Sequence, residues 1–286
     1  MTDLVTVTAP ATLGFVTDVD ALPDGRLIVT DGHLTAILKS DGSLDRYLPL
    51  PTGSNADTVE TNRLVVVDGG VILADSLNDR FIFYDSRLEP EKIVPFGFDL
   101  WSLNGFVRNP ESGELYIGAY FDGRLLHRFD KAGHHLESTV DADPEVPQGM
   151  SSIILTLDPE DNSLWISRLD RYEILRMTDK GLQTVVASDA PEFRAPQPKP
   201  GSSIAGKPLT FRIRPAPATS VGTVIHGQYV LNTYYLVEQR TILTDVFKKD
   251  GSPVARGIHD NELVAGKVLA DGRIARIFEH NISIWR

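Results

Sequence analysis

No cysteine occurs in the 286 residues, which removes disulfides, thiolate nucleophiles, iron–sulfur clusters and cysteine-ligated zinc together. No run of about 18 apolar residues is present either, so there is no candidate membrane-spanning helix. The opening residues, MTDLVTVTAPATLGF, lack a basic stretch followed by an apolar one. A secretory leader is therefore not expected and a cytoplasmic location is. Cations are scarce: 28 Lys and Arg stand against 39 Asp and Glu, a formal net charge of −11. The densest basic run, FKKDG at Phe247–Gly251, sets two lysines beside an acid. Phosphate binding needs clustered cations, so neither nucleic acid nor an anionic membrane is an expected partner. HExxH, GxSxG and P-loop motifs are missing, and no nucleophile elbow surrounds Ser152 or Ser220.

What the chain has is repetition. Short apolar runs end in turns at Asp41, Asp85, Asp130, Asp179 and Asp250, spaced by 44, 45, 49 and 71 residues. A second run precedes each one, from GRLIVTDG at Gly25 to GQYVLNTYY at Gly227, and a sixth copy, DGRIARIFEH followed by ISIWR, ends the chain. The runs are rich in Ile, Leu, Val, Tyr and Phe and lie close together, which reads as strands joined by tight turns. No long 3.6-residue apolar period appears. In the first unit the strands fall near Val16–Leu22, Arg26–Asp31, Leu34–Lys39 and Leu44–Leu48. A period in the forties with four strands per unit predicts an all-β, six-bladed β-propeller with four antiparallel strands per blade.

The sixth unit stops one strand short, at Trp285–Arg286, while a spare strand lies near Leu4–Thr8. The spare strand is expected to complete the last blade and close the ring. Residues 1–286 thus read as one propeller domain with a Pro-rich insertion at 188–218, which accounts for the 71-residue spacing. The connections between blades are long and those after the first and third strands are short. Long loops on a rigid scaffold gather binding residues, so the blade-connecting face is the expected functional face, with the insertion as a lid or rim.

Two stretches resemble known propellers. LNGFVRNPESGELYIGAY at Leu103–Tyr120 resembles the Asn-Gly-containing blade of the gluconolactonase/regucalcin-like group. DVDALPDGRLIVTDG is similar to that group and to the NHL/TolB-like propellers. The resemblance implies a six-bladed fold and lactonase-like activity. It also implies a metal site at the channel mouth built from a Glu, two Asn and an Asp at the starts of innermost strands. Carried over, the Glu position falls on Thr17 with Asp18 beside it, and one Asn position on Asn104. The other Asn position falls on Ser152 or Ile153, and the Asp position on Thr219. Hard cations need several oxygen ligands, usually including carboxylates, and one match in four leaves no metal and no cofactor expected. A residual calcium site on Asp18, Glu60 and Asn104 is the alternative.

The remaining ring, Thr17, Thr61 or Asn62, Asn104, Ser152 and Thr219, is neutral and hydrogen-bonding, with Asp18 and Glu60 nearby. It suits a small organic ligand at the central channel mouth. Thr17, Asn62, Trp101, Asn104, Ser152 and Thr219 are the expected binding residues, Trp101 with Phe98 as an aromatic wall. Asp18, Glu60 and His259 are the acid/base candidates, since His259 in HDNEL has Asp260 and Glu262 beside it. Tyr234 and Tyr235 border the same face. His226 reads as turn-forming, His134 and His135 as exposed, and Trp165 and Trp285 as core. The expected function is a small-molecule-acting enzyme of the lactonase-like propeller type with a degenerate metal site. Its chemistry would be that of a hydrolase, lyase or isomerase on an organic metabolite. The rival is a non-enzymatic scaffold that binds a ligand or a protein partner on that face, because fold alone does not decide function.

Overall fold

The structure, a computed structural model, describes residues 5–49, 51, 61–68, 70–144, 146, 151–188, 218–236, 239–259, 267–278 and 281–285. It contains six four-stranded antiparallel sheets. After β1 (Val5–Thr8), the first blade is β2 (Asp18–Ala21), β3 (Leu27–Thr30), β4 (Thr35–Leu38) and β5 (Leu44–Tyr47). The second is β6 (Thr61–Val67), β7 (Gly70–Asp75), β8 (Arg80–Tyr84) and β9 (Pro90–Pro95). The third is β10 (Trp101–Arg108), β11 (Leu115–Phe121), β12 (Arg124–Phe129) and β13 (His135–Asp141). The fourth is β14 (Ile153–Leu157), β15 (Leu164–Arg168), β16 (Tyr172–Thr178) and β17 (Gly181–Ser188). The fifth is β18 (Ala218–His226), β19 (Tyr229–Leu236), β20 (Thr241–Lys248) and β21 (Pro253–His259). The sixth has β22 (Lys267–Val268), β23 (Ile274–Phe278) and β24 (Asn281–Trp285), and β1 is its outer strand.

The closure is as the sequence predicts. Val5 pairs with Ile284 and Thr8 with Asn281, antiparallel and in register. The six first strands, β2, β6, β10, β14, β18 and β22, meet in sequence around the centre. The insertion expected at 188–218 has residues 189–217 outside the described part, so the expected lid lies there too.

Strand periodicity explains why the runs are apolar throughout rather than alternating. Each inner sheet is covered by a neighbour on both faces, so both sets of side chains are buried. In β3, Leu27 and Val29 pack toward the sixth blade, while Ile28 packs toward the second. In β7, Val71 and Leu73 face the first blade, and Ile72 and Ala74 face the third. Outer strands have one covered face and become polar: every residue of Leu44–Tyr47 is exposed.

The repeated aspartates make the turns. Asp41, Asp85, Asp130 and Asp250 each accept the backbone N–H two residues on, at 2.8–2.9 Å. These are Asx-type turns, in which a short carboxylate replaces a backbone acceptor. Backbone N–H bonds hold both the Asp85 and Asp250 carboxyls below their usual value, chiefly that of Glu89 for Asp85 and that of Ser252 for Asp250. At the fourth blade Thr178 Oγ1 takes this place, accepting from Lys180 N–H at 3.2 Å. Blade spacing is set partly by glycine. A Cβ on Gly118 would lie 2.7 Å from the Ile153 carbonyl oxygen, and one on Gly105 would lie 2.7 Å from Leu155 Cγ. Gly118→Ala should therefore force the third and fourth blades apart and lower stability by about 1–3 kcal/mol. Urea unfolding followed by circular dichroism measures this, and an unchanged midpoint would contradict it.

Candidate functional site

The centre of the ring is organised by the sequence DVDA of β2. Val19 packs into the core shared with the sixth blade, while Asp18 and Asp20 turn the other way and accept from the second blade. Asp18 Oδ2 accepts from Leu64 N–H at 2.8 Å, and Asp20 Oδ2 accepts from Val66 N–H at 2.9 Å. Asp18 Oδ1 also accepts from Val19 N–H at 2.9 Å. Asp20 Oδ1 accepts from Ala21 N–H at 2.8 Å and from Ala270 N–H of the sixth blade at 2.7 Å. Lys267, the first residue of β22, donates to the Leu64 carbonyl at 2.6 Å and stands 3.1 Å from Asp18 Oδ2. One ammonium thus joins three blades.

Arg63 repeats the arrangement one blade on. Its Nε donates to the Asn104 carbonyl at 2.9 Å and its Nη1 to the Thr17 carbonyl at 3.1 Å. Burial draws this guanidinium below its usual value, and Asp18 opposes the shift. Burial also pushes the Asp20 carboxyl up, against Lys267 and three backbone N–H groups. Each charge is removed from water and recovers its solvation from fixed partners.

Around this cluster lies a cavity of about 970 Å³ running along the channel. At the leading ends of the first strands its wall includes Thr17, Arg63 and Asn104. At the other end it includes Pro23, Asp68 and Pro110 of the first-to-second-strand turns. Between them the wall is mainly apolar, with Val65, Phe106, Ile154 and Leu155. The described cavity thus reaches both faces, and not the blade-connecting face alone.

The sequence-predicted residues divide. Thr17, Asp18 and Asn104 line the cavity. Ser152 does not: it is buried, donates to the Ser102 carbonyl at 2.8 Å and accepts from Asn104 Nδ2 at 3.0 Å. Its role is to orient Asn104. Ser102, at φ 55°, carries a β-bulge that throws Trp101 outward. Trp101 is 55% exposed and outside the cavity wall, while Phe98 stacks on Phe121 at 4.3 Å. His259 is likewise not at the channel: it ends β21, the outer strand of the fifth blade, exposed and paired with Leu243. Glu60, and the side chains of Asn62 and Thr219, lie outside the described residues. Tyr235 lines the cavity and Tyr234 is buried.

Among the described residues the expected neutral Thr17 and Asn104 are joined at the strand starts by two charges, Arg63 and Lys267. Arg63 and Lys267 went unread because their partners lie far off in the chain; the Lys267–Asp18 separation is 249 residues. The donor set does not fit the calcium site that the family resemblance implies. Asp18, the carboxylate among the described strand starts, is already bonded by two N–H groups and an ammonium. Among the described residues no group of three or more His, Asp or Glu is arranged to hold a metal ion.

Three outcomes test this site. Lys267→Met should destabilise the fold by about 3 kcal/mol, because Asp18 is left buried without its counter-charge. Adding Asp18→Asn to that variant should recover part of the loss in the same denaturation experiment. Millimolar calcium should leave the melting temperature of the native chain unchanged in a thermal scan. Away from the channel, His127 is buried, with Nε2 donating to the Ala119 carbonyl and Nδ1 accepting from Ser138. Burial lowers it to about 4. The unfolded chain takes up this proton near pH 6.5, so His127 makes stability fall from pH 6.5 to about 4, with no further loss below. Imidazole proton shifts followed by NMR would show the depressed titration directly.

No family model matches the chain, and no curated protein does. Solved structures do. A gluconolactonase from Xanthomonas campestris is similar at TM-score 0.61 and 13% identity, over 98% of this chain and 88% of that one. A member of the DUF4221 family from Bacteroides vulgatus gives 0.60 and 9%, over 99% and 95%. A streptogramin B lyase gives 0.56 and 13%, over 99% and 96%. At such identities the likeness carries the fold alone, and the six sheets of this chain make it a six-bladed β-propeller.

Proposed function

We propose that this propeller binds a small organic molecule in its central channel, and does so without a resident metal. The observation that carries the reading is the channel cavity itself. Its volume of about 970 Å³ is of the size that encloses such ligands. Its walls are mainly apolar, with a few fixed polar groups: the Thr17 hydroxyl, the Asn104 amide and the Arg63–Asp18–Lys267 cluster. No histidine lines the described wall, and Asp18 is fully engaged, so binding is better supported than proton transfer. The lyase and gluconolactonase folds extend the proposal to hydrolase, lyase or isomerase chemistry on the bound metabolite. A cytoplasmic location fits the absence of cysteine.

A second reading has one observation in its favour. Phe15, Leu77 and Trp101 are 65%, 52% and 55% exposed. Phe15 and Leu77 sit in connections and Trp101 opens β10, all on the blade-connecting face over the first three blades. Exposed aromatics on one face suit a protein partner.

A melting-temperature screen of a metabolite library against the whole chain tests both. A channel ligand at 100 times its Kd should stabilise the fold by about 2.7 kcal/mol. Ile154→Trp, which fills the channel, should abolish that shift, and EDTA should leave it intact. A shift that survives Ile154→Trp would place the ligand elsewhere. A protein partner would instead be lost on Phe15→Ser with Trp101→Ser and be indifferent to Ile154→Trp.

A further inference from the structure

We infer that the molecule held in the channel carries a carboxylate, and that Arg108 reads it. The inference rests on the channel reading above and names the chemical class of its ligand.

Among the described residues three cations line the cavity: Arg63, Lys267 and Arg108. The first two are held by the protein. Arg63 reaches the Asn104 and Thr17 carbonyls, and Lys267 reaches Leu64 O and Asp18. The lining carboxylates are engaged in the same way, with one exception. Asp158 stands 2.5 Å from Lys249 Nζ, Asp271 stands 2.6 Å from Arg273 Nε, and Asp20 accepts three N–H groups. Arg108 has no hydrogen bond or ion pair among the described residues, although it is half-buried.

Its position suits a ligand. Arg108 ends β10, directly after Phe106 and Val107 of the apolar wall. Its guanidinium lies at the turn end of the channel, where its Nη2 would be 3.6 Å from a Cβ on Gly113. Gly113 is in the left-handed region at φ 75°, and the same point lies 3.2 Å from Lys131 Cβ and 3.8 Å from its Cδ, so the stem of a second cation packs beside the guanidinium. A planar fork of N–H donors beside apolar surface matches a carboxylate in two parallel bonds. The apolar body of the same molecule would then lie along Val107, Ile154 and Leu157. The exception among the acids is Asp68, exposed on the neighbouring turn of the second blade, with no described partner. It would read a cationic ligand instead, and the experiment has to separate the two.

Three probes of one shape do so: 4-phenylbutyrate, 4-phenylbutyramide and 4-phenylbutylamine, titrated calorimetrically into the full chain. The acid should bind at least about tenfold more tightly than the amide, a ratio equal to about 1.4 kcal/mol. Arg108→Gln should erase that preference while leaving the affinity for the amide and the melting temperature unchanged, and Arg108→Lys should keep part of it. Equal affinity of acid and amide, or tightest binding by the amine, overturns the inference, as does a preference that survives Arg108→Gln. If acid and amide bind equally and both are lost on Ile154→Trp, only the carboxylate is wrong and the channel reading stands. If none of the three binds, the carboxylate inference falls, and the channel reading is left to the library screen.

Discussion

A ring of sheets has one seam, and in this chain the seam is held twice, once by backbone and once by charge. At the rim, Val5–Thr8 pairs with Asn281–Ile284, so the edge that an open ring would expose is covered. At the axis, Asp18 and Asp20 of the first blade accept from the second blade and, through Lys267 and Ala270, from the sixth. Buried charges of this kind add little net stability against an apolar alternative, but removing one partner is costly. Their effect is to fix register: Asp18 and Asp20 meet Leu64 and Val66 two by two, so a slip of one residue would break both bonds at once.

That arrangement also decides what the channel is. The resemblance to gluconolactonase-like propellers implies oxygen ligands gathered around a cation. Here the cations belong to the chain, as an ammonium and a guanidinium already bonded across blades. The leading end of the channel is therefore electrostatically complete, and the described groups left for a ligand are neutral acceptors such as the Asn104 amide oxygen and the charges of the turn end. Blade contact does the rest. The close approach of Gly105 and Gly118 to the fourth blade gives the Asn-Gly pair a packing reason, because Asn104 faces the cavity while Gly105 admits Leu155.

Much of the fold was legible because its signals are local. A turn Asp, in four of the five turns with a glycine one to three residues on, between two short apolar runs specifies a hairpin without reference to anything distant. Repetition at a near-constant period then gave six sheets, and the deficit in the last unit located the closing strand. The site was less legible because its contacts are not local. Thr17, Asp18 and Asn104 could be placed by their offset from a turn. Arg63 and Lys267 could not, since nothing near either residue signals a partner on another blade. The alternation in DVDA was the available clue: two acids spaced by two in an otherwise apolar strand demand buried partners. His259 misled because the same loop serves an outer strand and the next inner one, and the residue belongs to the former. Trp101 was placed at the right strand, but a bulge turned it away from the cavity.

The seam carries a consequence for how the molecule is made. Val5 and Ile284 are 279 positions apart, so the strand Val5–Thr8 waits for a partner made much later. Until then the outer edge of the sixth sheet and the apolar side of Val7 have nothing to cover them. Such long-range pairing is slow and leaves sticky surface open meanwhile. Assembly of the circle thereby waits until Asn281–Ile284 has been made, and that interval is when the nascent chain is most in need of a chaperone.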